Sequence, residues 1–201
     1  GWSPSEDREI FTLDELVQAF DVKHIGTSGA IFDPEKLKWV NGMWLRNMDL
    51  DSYEKLVTPY IDEAVKGNFN RRQIAAILQQ RAQTLAEIPE MLTFFDNFPS
   101  YSNDLFINKK MKTDPEIALK SLQAAYEALK NQEDWSEEAL HKTLLELPAK
   151  LEMKNGQVLF PLRLAITGMQ FTPGGAIEIS SILGKEETLR RLELSIKQLQ
   201  Q

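Results

Sequence analysis

DPEIALKSLQAAY, residues 114–126, decides the fold class. Asp114 offers a side-chain acceptor just ahead of Pro115, whose fixed φ and missing N–H suit the first turn of a helix. Ile117, Leu119, Leu122 and Tyr126 then recur at helical spacing, predicting one apolar face. The same device stands at Asp33-Pro34, ahead of Leu37, Val40 and Trp44. At Thr12 to Glu15 a capping box precedes Leu13, Leu16, Val17 and Phe20, again a helical face.

Outward from these starts the helical period persists. Residues 51–66 (DSYEKLVTPYIDEAVK) and 70–87 (NRRQIAAILQQRAQTLAE) read as amphipathic helices, the first interrupted near Pro59, and Pro89 opens a short segment. Residues 136–147 and 156–168 repeat the period, and the last helix carries Leu189, Leu192, Ile196 and Leu199. No comparable alternation of period two appears. The expected fold is all-α, with at least eight helices in two consecutive bundles that meet at the loop FPSYSNDLF, residues 98–106.

The chain of 201 residues is 42% hydrophobic and 26% charged, a globular composition. No apolar run is long enough to span a bilayer, and the start GWSPSEDREIF is not a secretory signal, so no membrane partner is expected. Zero cysteines and two isolated histidines, His24 and His141, exclude thiolate sites and make no zinc cluster; no metal is expected, and a reducing cytoplasm fits. Gly1, without an initiator methionine, reads as the start of an excised piece.

A net charge of −7 argues against indiscriminate binding to DNA or any phosphate backbone. Local charge differs. Between residues 66 and 86 stand Lys66, Arg71, Arg72 and Arg81 with no acidic residue, which is either an ordinary solvated face or a nucleic-acid contact. Pro161-Leu162-Arg163 opens an apolar segment ending at Gly168, followed by Thr172-Pro173-Gly174-Gly175. A guanidinium in so apolar a setting must snorkel or find a partner, either a carboxylate of the fold or an RNA group. No phosphate-cradling Gly-rich loop, nucleophile elbow or paired histidines appear, so no chemistry is expected from this chain alone.

Taken in order, GWSP (1–4), REIFTLDELVQAF (8–20), FDPEKLKWVNGMWLR (32–46), TLAEIPE (84–90), FPLRLAITG (160–168), TPGG (172–175) and LGKEETLRRL (183–192) resemble bacterial glutamyl-tRNA synthetases. The resemblance runs from Gly1 to about Gln198. His24-Ile25-Gly26 is not taken as the nucleotide-binding signature of class I synthetases, because no apolar strand of a nucleotide-binding sheet precedes it and Thr27 follows.

That resemblance implies the end of a stem-contact region at residues 1–47, a first anticodon-binding helical subdomain at 48–100 and a second at 101–201. It places the ATP and magnesium chemistry in a catalytic part of the same polypeptide, leaving this chain without a cofactor. Arg81 matches the position where discriminating members carry an arginine that reads the third anticodon base. Arg163 matches a reader of the first, with Thr172, Pro173, Gly174 and Gly175 forming the adjoining loop. The chain departs from the family at Gly175, where a bulkier apolar residue is common. Lys66, Arg71 and Arg72 are expected on the RNA backbone and Arg46 in the stem-contact region, while Trp39 is read as packing in the core or between domains. The implied partner is glutamate tRNA, bound by a cytoplasmic monomer. Alternatives are the same region of an enzyme that also charges glutamine tRNA, or a helical protein-interaction module descended from a synthetase.

Overall fold

Six helices begin where the sequence supplies a side-chain acceptor for the free N–H groups of a first turn. Thr12, Asp33, Asp49, Asn70, Asp114 and Ser136 cap α1 (Leu13–Ala19), α2 (Pro34–Asn47), α3 (Leu50–Ala64), α4 (Arg71–Gln79), α6 (Pro115–Lys130) and α7 (Glu137–Leu151). Between and after them lie α5 (Ile88–Met91), α8 (Asn155–Thr167) and α9 (Ala176–Leu199). This is a computed structural model that describes residues 2–4, 8–27, 29 and 31–201. Among the described residues the fold is all-α, with two isolated β-bridges, Trp2 to Ile25 and Asn108 to Thr113.

Helices α3, α4 and α5 pack on one another, α6 to α9 on one another, and α4 touches α9. The buried face of α6 is Ala118, Ser121, Leu122, Ala125 and Leu129. It is rotated from the stripe the sequence suggested, since Ile117, Leu119 and Tyr126 are only half-buried. Small residues at the centre let α8 and α9 approach closely, and Ser121 donates its hydroxyl to the carbonyl of Gln157 at 3.0 Å. That bond answers a problem set by the sequence. Pro161 lies inside α8 and does not open it, and a proline there frees the carbonyl four residues earlier, which is that of Gln157. Pro59 likewise does not interrupt α3. It sits on the exposed face with Lys55, whose freed carbonyl can take a hydrogen bond from water.

The 70–87 segment is helical only to Gln79. Gln79 turns inward and donates from Nε2 to the carbonyls of Leu45 at 3.2 Å and Met48 at 2.8 Å, satisfying the end of α2. Asn41 donates to the carbonyl of Gln83, and the Glu87 carboxylate accepts from the backbone N–H groups of Gln83 and Thr84. These bonds fold residues 80–87 into a turn, so Arg81 stands just past a helix end instead of on a helix face. Along α9, Gly184 takes φ 79°, a left-handed conformation that breaks the helix into two legs.

One part of the fold stays uncovered. The predicted apolar face of α1 forms but is exposed, with Leu13 at 74% and Val17 at 68%, and Ile31, Phe32 and Trp44 are exposed nearby. Trp39 is 38% exposed and lies outside the core of this chain, contrary to one of its two expected settings.

Candidate nucleic-acid interface

Gly174 brings the two halves of the site together. A Cβ there would stand 3.2 Å from Ile77 Cγ2 on α4 and 3.3 Å from Ile179 Cγ1 on α9, so only a bare backbone fits without displacing a neighbour. The loop 172–175 thereby lies against α4, one turn before Arg81. Gly175 has a different reason to be small, because its Cβ would meet only the movable carboxylate of Glu178 at 2.7 Å. At the other side of the loop, Gly168 ends α8 with φ 66° and packs on Pro99, where a Cβ would come within 2.6 Å of Cγ.

Arg163, from α8, and Arg81 line one cavity of about 930 Å³, together with Phe160, Phe171, Thr172 and Gly174. Arg81, Pro173, Gly174 and Gly175 also border a second hollow of about 570 Å³, so Arg81 stands on the rim between them. Glu87 and Glu90 contribute carboxylates to the larger cavity, but neither arginine forms an ion pair among the described residues. Arg163 is half-buried and donates from Nη1 to Thr172 Oγ1 at 2.7 Å and from Nη2 to the carbonyl of Gln170 at 2.9 Å. Its partner within the chain is therefore the adjoining loop and not a carboxylate. Burial pushes its guanidinium down from the usual value, and the charge of Arg81 pushes the same way. Arg81 itself is exposed, with no side-chain hydrogen bond among the described residues.

The chain matches the family described as "Anticodon binding domain" over residues 51–196. It belongs to the anticodon-binding domain family. Among curated relatives, the glutamate–tRNA ligase of Clostridium tetani is 46% identical over 199 residues, which is 99% of this chain and 41% of that protein. The glutamate–tRNA ligase of Clostridium acetobutylicum is 42% identical over 201 residues, again 41% of its length. A crystal structure of a glutamate tRNA ligase from Elizabethkingia meningosepticum, in complex with its amino acid, superposes with a TM-score of 0.76 at 28% identity, covering 99% of this chain and 39% of that one. This anticodon-binding domain thus corresponds to the carboxyl-terminal region of glutamate–tRNA ligases and spans about two fifths of the length of the relatives it matches.

The structure keeps the other sequence-selected cations of this anticodon-binding domain out of the two hollows. Their lack of acidic neighbours holds along the sequence only. Arg71 donates from Nε to Asp62 at 2.8 Å and from its two Nη groups to the carbonyls of Val65, Gly67 and Phe69. Arg72 pairs with Asp51 at 2.6 Å and Glu54 at 2.8 Å, and Lys66 donates to the carbonyl of Asp62. Arg46, in the last turn of α2, folds back within 3.3 Å of where a Gly42 Cβ would stand. Sequence reasoning missed Phe171, which is exposed at the cavity edge, and Arg191, which donates to the carbonyl of Ile166 one turn along α8 from Arg163. Neither carried a pattern: Phe171 is a lone aromatic in a loop, and Arg191 is one of several charges on a helix.

No helix among the described residues is long and apolar enough to cross a membrane, and they contain no His, Cys, Asp and Glu cluster fit for a metal.

Proposed function

We propose that this chain is the tRNA-reading part of a glutamate–tRNA ligase that binds glutamate tRNA through its anticodon and discriminates against glutamine tRNA. The observation supporting it is the convergence of Arg81 and Arg163, from separate groups of helices, on one cavity with no carboxylate paired to either among the described residues. Two like charges raise each other's energy, so the arrangement favours a ligand rich in acceptors. Glutamate anticodons end in cytosine, whose pairing edge offers O2 and N3 as acceptors. Glutamine anticodons end in guanine, whose N1 and N2 are donors. An arginine has donors only, so Arg81 satisfies the first and clashes with the second.

In this reading Arg163 and the loop from Thr172 through Pro173 and Gly174 to Gly175 hold the first anticodon base. Lys66, Arg71 and Arg72 meet the phosphate backbone, with Arg71 also engaged inside the fold, and residues 1–47, Arg46 among them, end the stem-contact region. Subdomains 48–100 and 101–201 carry the anticodon site. A catalytic part of the same cytoplasmic, monomeric polypeptide supplies the ATP and magnesium chemistry. The exposed apolar face of residues 13–44 suits a surface covered within that longer protein.

The test is binding of this chain to glutamate and glutamine tRNA, with an Arg81→Gln variant. The variant is expected to lose roughly 1–3 kcal/mol toward glutamate tRNA and little toward glutamine tRNA, so that discrimination falls. Equal losses on both would remove Arg81 from base reading.

A further inference from the structure

We propose that Phe171 is a stacking platform for the anticodon base that Arg163 faces, and that Arg163 is the positioning residue that presents it. The proposal rests on the anticodon-reading assignment above and adds a residue to it. Among the described residues after Trp44, Phe171 is the one exposed aromatic, at 82%, whereas Phe94, Phe95, Phe106 and Phe160 are buried. Burying a phenyl ring is ordinarily worth a few kcal/mol, so a ring left in water beside a cavity has forgone that gain.

Its exposure is built in. Arg163 holds the carbonyl of the residue before Phe171 and the hydroxyl of the residue after it, at 2.9 and 2.7 Å. Thr172 in turn donates its own hydroxyl to the carbonyl of Gly174 at 2.8 Å, holding the next step of the loop. The left-handed Gly168, pressed on Pro99, fixes where the loop leaves α8. With both flanking residues held, Phe171 stands out at the edge of the cavity that Arg81 and Arg163 share.

Every nucleobase has a π-face, so a rigid exposed ring next to hydrogen-bonding donors is the chemistry that receives an unstacked base of single-stranded RNA. Two of the five guanidinium N–H groups of Arg163 are spent on the loop, leaving three for the edge of that base. The ring supplies affinity without choosing among bases, and Arg163 supplies orientation. Discrimination is left to Arg81.

The experiment uses the full 201-residue chain and a glutamate tRNA anticodon stem–loop carrying the fluorescent pyrimidine pyrrolocytosine at the first anticodon position. The original chain should quench the probe on binding. Phe171→Ala and Phe171→Leu should weaken binding about tenfold and abolish the quench, and Phe171→Trp should restore both. The leucine variant separates stacking from simple apolar contact, and an exposed side chain puts folding at little risk. Unchanged affinity and quench in the alanine and leucine variants, alongside an intact preference for glutamate over glutamine tRNA, would overturn the platform and leave the anticodon reading standing. Failure of the original chain to bind the stem–loop, or the absence of any preference, would sink both.

Discussion

Arg191 donates from Nη1 to the carbonyl of Phe94 at 2.8 Å, joining the second leg of α9 to the segment that follows α5. Only 1% exposed, it also donates to the carbonyls of Ile166 at 2.7 Å and Phe95 at 3.0 Å, and pairs with Glu187 at 2.6 Å. Ile166 is one turn along α8 from Arg163, so this one guanidinium ties the Arg163 helix to the first group of helices. Replacing it with methionine removes the donors of three buried carbonyls, and a loss of roughly 3–5 kcal/mol is expected in urea unfolding. Lysine should recover only a minor part, because one ammonium cannot span the same fork of acceptors. A methionine variant as stable as the original would remove the bridge from the account.

Glu187 sets the pH dependence of that bridge. Hydrogen bonds from Arg190 foremost, then Arg191, hold its carboxyl down from the ordinary 4.5 to about 2, against the opposing effect of burial. A carboxyl depressed on folding stabilises the native state at every pH above its unfolded value. That contribution fades as pH falls from 4.5 towards 2, where the folded carboxyl takes up its proton. Urea midpoints over this range should drop more steeply for the original chain than for Glu187→Gln. Parallel acid limbs would assign the acid sensitivity to other groups.

Gly174 and Gly175, adjacent and alike in sequence, should respond differently to alanine. At Gly174 the new methyl meets Ile77 and Ile179 on two helices, so the loop must lift from α4 and carry the 172–175 backbone away from Arg81. Weaker glutamate tRNA binding is expected, with a stability loss of about 1–3 kcal/mol from overpacking. At Gly175 only the Glu178 carboxylate has to swing aside, so alanine should be close to neutral in both measurements. Equal responses at the two sites would contradict the contact with α4.

Arg71 and Arg72 separate an internal role from a surface one. Arg71→Ala strips donors from Asp62 and three carbonyls around the end of α3, and should cost about 1–3 kcal/mol of stability. Arg72 forms exposed pairs with Asp51 and Glu54, so its removal should cost less than about 1 kcal/mol. If Arg72 meets phosphate, its alanine variant should lower the salt slope of tRNA binding by about one and weaken both tRNAs alike. An unchanged slope would return it to an ordinary solvated pair.

The helix starts were fixed by sequence alone, because a cap is a local bargain between one side chain and the N–H groups two or three residues on. Thr12, Asp33 and Asp114 needed no tertiary partner to be read correctly. The all-α class followed from the 3.6-residue period for the same reason. Which side of each helix faces inward was decided elsewhere. The second leg of α9 buries Thr188, Arg191 and Ser195 beside Leu192, polar groups that an apolar stripe cannot announce, since Arg191 and Ser195 find acceptors on α8 or after α5 and Thr188 finds its own across the kink, at Ser180. Arg163 and Phe171 depended on the same kind of information. The sequence marked an arginine that had to find a partner, but only the fold placed the carbonyl of Gln170 and the hydroxyl of Thr172 within its reach. Convergence of Arg81 and Arg163 likewise required the close approach of Gly174 to α4, a contact between residues nearly a hundred positions apart. Local hydrogen bonding is encoded within a few residues, whereas the surface a chain offers to a partner depends on which distant segments pack together.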